Sequence, residues 1–433
     1  EETEEEFERL VQAKSKVGFL ELESSMRAAA LKVAGKLLEA KLNDDTSDYH
    51  GQACQCSCGG TAVYRGRRAK TFVTVVGEIT LERAYYYCHE CGSGFYPRDR
   101  TLGLSSGLLS PGVEKMVGAS AAMVSFEESH KLLEELANLD IATKEIERSA
   151  ESLGKGIAED ECSYVPMADE PQATMYLGLD GTGIPMRHEA LEGRVGKQPD
   201  GTAKTREVKL VSVWTADTKD KEGNPVRDKG SVRYSAAIES AAYVEKDESP
   251  SDFALRVARE ARRTGFENAH RQVIIGDGAK WIWALAYELF PHGIQIVDLY
   301  HALETVSTVA KKLFGVESKE TEQKAQDWRE LLEKGAIDEI IGELTVFEDQ
   351  HPEATTCIRY LETNRERMRY PLFRSLGLCV SSGVEEAGCK VAIGTRLKRS
   401  GMHWTVEGAN AIIALRCNRL SHRDEDYWAR RNA

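Results

Sequence analysis

The feature that most restricts the fold is a pair of apolar runs that each end in Asp-Gly. Residues 174–186 read Thr-Met-Tyr-Leu-Gly-Leu-Asp-Gly-Thr-Gly-Ile-Pro-Met, with Met175, Leu177 and Leu179 alternating ahead of Asp180. This is the pattern of a β-strand that stops at a carboxylate, beside glycines that admit close backbone approach. Residues 273–278, Val-Ile-Ile-Gly-Asp-Gly, repeat it and lead into a helical run over 279–290. Ligands of α/β sheets bind beyond the carboxyl ends of the strands, so the pair predicts one acidic site shared by Asp180 and Asp277. The plain alternative is two Asp-Gly turns without chemistry.

The neighbouring segments set the expected topology. Residues 175–180, 206–215 and 232–238 read as a strand meander, followed by a helix over 251–264, the strand into Asp277 and a strand over 294–298. Three hairpin strands and then alternating helix and strand is the order of a ribonuclease-H-like fold. In that order the first and fourth strands are adjacent and parallel, which brings Asp180 to Asp277. Helices over 328–335, 337–344 and 355–368 interrupt this domain. Past them, Glu386 lies three, seven and eleven residues before Cys389, Ile393 and Leu397, on an apolar stripe that faces the sheet. A carboxylate on such a stripe wants a cation; Glu385 is its competitor. Arg187, Arg194, Lys197, Lys204, Arg206 and Lys209 follow the first acid, and Arg396, Lys398 and Arg399 follow the third, as DNA contacts would. Trp281, Trp283 and Trp404 suit either base stacking or the core.

Upstream, the cysteines are grouped. Five of ten lie between 54 and 91, as Cys54-Gln-Cys56-Ser-Cys58 and Cys88-His-Glu-Cys91, flanking strand-like segments 72–76 and 79–87. Cys56, Cys58, Cys88 and Cys91 are the expected thiolates of a structural Zn²⁺, with Cys54 as reserve ligand. Arg65, Arg67, Arg68, Lys70, Arg83, Arg98 and Arg100 face only four acids over residues 51–105. This local basic patch suits a phosphate backbone although the whole chain carries a net charge of −13. Ser110-Pro111, the capping box Ser125-Phe-Glu-Glu128 and Thr143 mark three helix starts. The last two helices read as a helix-turn-helix with Lys144 and Arg148 exposed on the recognition helix, or as a plain bundle.

Six regions are expected: an acidic helical arm over 1–50 with a second helical run over 26–42, a zinc ribbon over 51–105, a helical DNA-binding region over 106–165, a ribonuclease-H-like core over 166–316, a helical insertion over 317–380, and the rest of the core over 381–433. The arm is either a solvated helix or a dimerisation element. No secretory signal is visible in a chain that starts at Glu1, no run approaches a transmembrane length, and the cysteine usage suits a reducing compartment.

The chain resembles the ISKra-type insertion-sequence transposases, relatives of the Mutator-like elements with Asp-Asp-Glu cores. The likeness rests on Leu179-Asp-Gly-Thr-Gly-Ile-Pro-Met186, Gly196-Lys-Gln-Pro-Asp-Gly201, Lys204-Thr-Arg-Glu-Val-Lys209, Gly276-Asp-Gly-Ala-Lys-Trp281, Asp298-Leu-Tyr-His301 and Glu386-Ala-Gly-Cys-Lys390. Gly401-Met-His-Trp404 and Gly408-Ala-Asn-Ala-Ile412 extend it to the C-terminus. The resemblance implies that Asp180, Asp277 and Glu386 are catalytic acids, that Asp298 and His301 support them, and that a helical insertion precedes the final Glu. His301 either contacts a phosphate or caps and packs its helix. Three carboxylates suit two Mg²⁺ (or Mn²⁺) ions that serve phosphodiester cleavage and strand transfer on double-stranded DNA, transposon ends and target alike. A homodimer or higher oligomer on DNA, in the bacterial cytoplasm at the nucleoid, is the expected setting. The competing readings are a catalytically dead DNA-binding protein and a nuclease of the same fold without strand transfer.

Overall fold

Described in the structure, a computed structural model, are residues 18–104, 107–164, 171–196, 198, 201–221, 223–241, 249–316, 318–380 and 388–431. Glu385, Glu386 and Lys197 lie outside the described residues, as does the acidic segment 1–17. Two units are resolved, Glu1–Leu153 with Glu425–Ala433, and Gly154–Asp424. Helix α12 (Asp424–Arg431) groups with the first unit from Glu425 on. Among the described residues no helix is long and apolar enough to cross a membrane.

In the first unit, helix α1 (Phe19–Asp44) is one continuous helix. Strands β1 (Ala53–Gln55), β2 (Thr61–Thr74), β3 (Gly77–Cys88) and β4 (Gly94–Phe95) form an antiparallel sheet in that order. The β2–β3 hairpin is longer than the apolar pattern suggested: Ala62, Phe72, Leu81, Ala84 and Tyr86 fill inner positions, Arg83 is buried too, and Arg65 and Arg68 stay exposed. Helices α2 (Pro111–Ala121) and α3 (Phe126–Ala137) begin as their capping residues require. Ser125 Oγ accepts the Glu128 N–H at 3.2 Å and the Glu128 carboxylate accepts the Ser125 N–H at 2.9 Å. Asn138, at φ +58°, ends α3 in the left-handed region. Helix α4 (Thr143–Ser163) buries Ile146, Ala150, Leu153 and Ile157, the face expected.

The second unit holds a five-stranded sheet. Its strands are β5 (Thr174–Pro185), β6 (Thr205–Trp214), β7 (Arg233–Ala237), β8 (Arg271–Gly276) and β9 (Ile294–Val297), in the spatial order β9-β8-β5-β6-β7. β5, β6 and β7 pair antiparallel, whereas β8 runs parallel to both β5 and β9. The first and fourth strands are thus adjacent and parallel, as their order in the chain predicted. β5 is buried on both faces from Thr174 to Leu179, as a central strand with no solvent side. One detail differs from expectation: the strand does not stop at Asp180, because its antiparallel pairing with β6 continues to Pro185↔Thr205. Gly181 and Gly183 permit this, because a Cβ at either would come within 2.9 Å of Glu207 or Thr205 side-chain oxygens.

Helix α5 (Asp252–Thr264) is capped by Ser251, whose Oγ accepts the Ala254 N–H at 3.1 Å. Helices α6 (Lys280–Leu289) and α7 (Leu299–Phe314) follow β8 and β9. Helices α8 (Lys319–Lys334), α9 (Ile337–Thr345) and α10 (Pro352–Asn364) come next, in the stretch expected to be a helical insertion. A buried ion network, invisible in the sequence, ties distant segments together. Glu260 pairs with Arg423 and Arg263, and Arg256 with Glu239 and Glu161. Burial opposes the Glu260 charge, but the surrounding guanidiniums, Arg423 foremost, hold its carboxyl below the usual range.

Helix α11 (Val406–Leu420) packs its backbone at Ala411 against Gly154 of α4. A Cβ on Gly154 would stand 2.0 Å from the Ala411 carbonyl oxygen. Alanine normally favours a helix over glycine by about 1 kcal/mol. Gly154→Ala is nonetheless expected to destabilise by roughly 1–3 kcal/mol or more, from overpacking. Calorimetry on the full chain measures this as a lowered melting midpoint, and an unchanged midpoint would contradict the packing.

Candidate functional site

The register of the sheet brings the first two acids together. β8 ends with Gly276 opposite Leu179, so Asp277 and Asp180 are the next residues on neighbouring parallel strands. Both line a cleft of about 590 Å³ in the second unit, with Thr182, Asp298, Tyr300, His301, Cys389, Lys390 and Lys398 among its walls. Asp180 Oδ1 accepts the Gly181 N–H at 2.6 Å, and Asp277 Oδ1 accepts the Ala279 N–H at 2.8 Å. Burial raises the Asp180 pKa above the usual carboxylate range, and the Asp277 charge adds to the rise. The Cys389 thiol, donating to the carboxylate, and the Gly181 N–H work the other way.

Asp298 has a definite structural task. Its Oδ1 accepts the N–H groups of Tyr300 at 2.8 Å and His301 at 3.3 Å, capping α7. That leaves the His301 side chain exposed at the first turn of a helix that borders the cleft. Lys398 donates to the Thr182 hydroxyl across the cleft. The third acid, Glu386, lies outside the described residues. Cys389, Ile393 and Leu397, which share its stripe, are all buried, and Cys389 reaches the cleft beside Asp180. Cys389–Gly394 is a π-helical turn, an uncommon geometry that concentrates at functional sites. The carboxylate oxygens of Asp180 and Asp277 are the hard donors that Mg²⁺ prefers, in a cleft whose basic groups suit phosphate.

Other residues expected to contact DNA fall into two groups. Arg68 is exposed, its guanidinium 3.6 Å from the centre of the Tyr85 ring. Lys144 and Arg148 are exposed but engaged within α4, with Glu147 and Glu145, each at 2.8 Å. Arg67 is tied to Asp48 at 3.0 Å, Lys70 donates to the Gly107 carbonyl at 2.7 Å, and Arg399 is half-buried. Arg396 requires correction as a DNA contact. It is 0% exposed, its guanidinium 5.3 Å from the Trp404 ring and bonded to Met402 Sδ at 3.6 Å, so it packs the interior. Lys209 is likewise buried, bonded to Glu207 and 4.6 Å from the Trp281 ring centre. Trp283 and Trp404 are buried core residues, the second of the two uses the sequence allowed.

In the first unit the cysteines converge. Ligand atoms of Cys56, Cys58, Cys88 and Cys91 all lie within 4.8 Å of one another, and among the described residues no other group of three or more potential ligands does so. The Cys56–Cys91 and Cys58–Cys88 sulfurs are each 3.7 Å apart. Two tight turns make this possible: the Cys56 N–H bonds the Gly60 carbonyl at 2.8 Å and the Cys88 N–H bonds the Ser93 carbonyl at 2.9 Å, with Gly59 and Gly92 at positive φ. The Ser93 hydroxyl and N–H lower the Cys91 pKa to about 6. Four soft donors in tetrahedral reach fit Zn²⁺, and Cys54 stands outside the set.

Sequence reasoning missed Cys389, Thr182, Tyr300 and Lys390 as cleft residues, and it missed Tyr360. The Tyr360 hydroxyl donates to the Asp277 carbonyl at 3.1 Å across eighty-three residues of chain. Thr182, Tyr300, Cys389 and Lys390 each sit in a motif string beside an acid, whereas Tyr360 sits in none.

Comparison with known proteins adds three findings. A protein of Caldanaerobacter subterraneus subsp. tengcongensis, named as a UPF0236 protein, is 24% identical over 357 residues, 80% of this chain and 67% of that one. There is weak structural similarity to the Drosophila P element transposase strand transfer complex, with 10% identity, a TM-score of 0.27, and coverage of 76% of this chain and 83% of that one. At that score the likeness carries no weight for fold or mechanism. The family profile described as "Uncharacterised protein family (UPF0236)" matches residues 13–428, nearly the whole chain, and the protein belongs to that family.

Proposed function

We propose that the protein is a DNA transposase of the Asp-Asp-Glu kind, of the ISKra type its motifs resemble, with a ribonuclease-H-like core in the second unit. The observation that carries this reading is the in-register parallel pairing of β5 with β8, which sets Asp180 next to Asp277 at one cleft. The strand order β9-β8-β5-β6-β7 agrees with a ribonuclease-H-like sheet interrupted by a helical insertion.

Asp180, Asp277 and Glu386 are the residues to hold two Mg²⁺ (or Mn²⁺) ions. When bound, these would stabilise charge on the attacking and leaving oxygens of the phosphodiester. Water first attacks the phosphodiester at the transposon end, and the 3′-hydroxyl that departs from it later attacks target DNA. His301, Lys390 and Lys398 offer donors and positive charge to the phosphate oxygens, and Asp298 keeps the start of α7 in place for His301. Burial of Asp180 beside Asp277 disfavours its charge until a cation is present, which tunes the site to be filled. The zinc ribbon and the α3–α4 pair, as a helix-turn-helix, would grip double-stranded DNA in a homodimer or higher oligomer at the bacterial nucleoid.

Incubating the protein with Mg²⁺ and a labelled element end, then looking for cleaved and joined products, tests the reading. The DNA grip has its own test. Arg68→Ala is expected to reduce the slope of log affinity against log salt by about one unit, the loss of one phosphate contact. Arg396→Ala is expected to lower the melting midpoint and leave that slope unchanged. Equal slopes for Arg68→Ala and wild type would remove Arg68 from the interface.

A further inference from the structure

Helix α10 meets the main chain of a cleft residue, Asp277. Tyr360, on α10, donates its hydroxyl to the main-chain carbonyl of Asp277 at 3.1 Å. Gly278 follows at φ +100°, and a Cβ there would stand 2.5 Å from Tyr360 Cε2 and 3.2 Å from Asn364 Nδ2. Asn364, one turn along α10 and buried, donates to the Tyr360 carbonyl at 3.1 Å. The same Tyr360 hydroxyl neighbours the Thr305 side chain on α7, and Thr305 donates to the His301 carbonyl at 2.9 Å.

These contacts bear on how well an acid can be aimed. A loop that turns at a glycine has soft dihedrals, and a change of ψ at Asp277 would swing its carboxylate away from Asp180. Anchoring the Asp277 carbonyl to a packed helix removes that freedom, as the surroundings of a preorganised site must. The Ala279 N–H, at 2.8 Å from Oδ1, fixes the carboxylate itself. Main-chain and side-chain ends of Asp277 are therefore held by different elements.

We infer that Tyr360 is a positioning residue for Asp277, so that the helical insertion acts on metal binding by locking the Asp277–Gly278 peptide. This rests on the proposed function and gives the insertion a task inside the cleft. Tyr370 supplies a matched control: it is also a buried phenol of the insertion, and its hydroxyl has no hydrogen-bond partner among the described residues.

The test is Mn²⁺ binding by the full chain, read from the electron paramagnetic resonance signal of free Mn²⁺. Wild type, Asp180→Ala, Tyr360→Phe and Tyr370→Phe are compared. The Mn²⁺ lost on Asp180→Ala is expected to bind Tyr360→Phe about five- to tenfold more weakly, the scale of one hydrogen bond, and Tyr370→Phe as wild type. Wild-type affinity in Tyr360→Phe overturns the inference and leaves the proposed function standing. An equal loss in Tyr370→Phe also overturns it, since any loosening of the insertion would then suffice. Absence of Asp180-dependent Mn²⁺ binding in wild type overturns the proposed function itself.

Discussion

Asp180→Asn is expected to abolish the proposed strand cleavage and, without metal, to raise the melting midpoint at neutral pH. The loss of activity follows from the loss of a metal-holding carboxylate. Metal ions supply several kcal/mol of transition-state stabilisation, so the expected fall is on the order of a thousandfold or more. The gain in stability follows from the electrostatics of the empty cleft. Burial and the neighbouring Asp277 charge raise the Asp180 pKa in the folded chain. A raised folded-state pKa favours folding below the ordinary Asp value, and that contribution is lost as pH rises through the folded value. At neutral pH wild type therefore carries a penalty that the isosteric amide avoids. Melting curves from pH 4 to 8 read the sign directly: the wild-type midpoint should fall relative to Asp180→Asn as pH rises. A variant that is inactive and also less stable at neutral pH would mean that Asp180 supports the fold, not a cation.

The second large effect concerns the cysteines. Freshly purified protein is expected to hold one zinc per chain by elemental analysis, and Cys88→Ser or a strong chelator should unfold β1 to β4. Structural zinc contributes on the order of 10 kcal/mol to the elements it holds, more than a small four-stranded sheet can supply from its own core. The inner residues between the two knuckles, Ala62, Ala84 and Tyr86, form a small cluster closed by the cysteines themselves. Limited proteolysis should then cut within residues 53–95 while the second unit stays resistant. Cys54→Ser should retain the metal. Loss of zinc from Cys54→Ser with retention in Cys56→Ser would exchange the two ligands.

Much of this was legible because it is local. The caps at Ser110 and Ser125, the knuckle spacings and the run of strands 175–180, 206–215, 232–238 and 273–276 are short-range signals, and the folded chain uses all of them. What failed needed tertiary context. Arg396 and Lys209 were taken for solvent-facing cations because they are charged, yet Trp404 and Trp281 cover them. The continuation of β5 past Asp180 depends on the β6 partner, which an Asp-Gly pair in isolation hides. The Glu260–Arg423 pair joins residues 163 positions apart, and Tyr360 has no pattern around it that points to Asp277.

The central claim is that Asp180, Asp277 and Glu386 form one cation-dependent phosphodiester-transfer site. The most direct measurement incubates 3′-labelled element-end DNA and a target plasmid with wild type, Asp277→Asn or Glu386→Gln, with Mg²⁺ or with EDTA. The account predicts nicking at the element end and joining to the plasmid by wild type with Mg²⁺ alone, and neither product from the variants although they bind the DNA normally. Nicking that persists in Asp277→Asn and Glu386→Gln, or no Mg²⁺-dependent product from wild type on any element end, would contradict it.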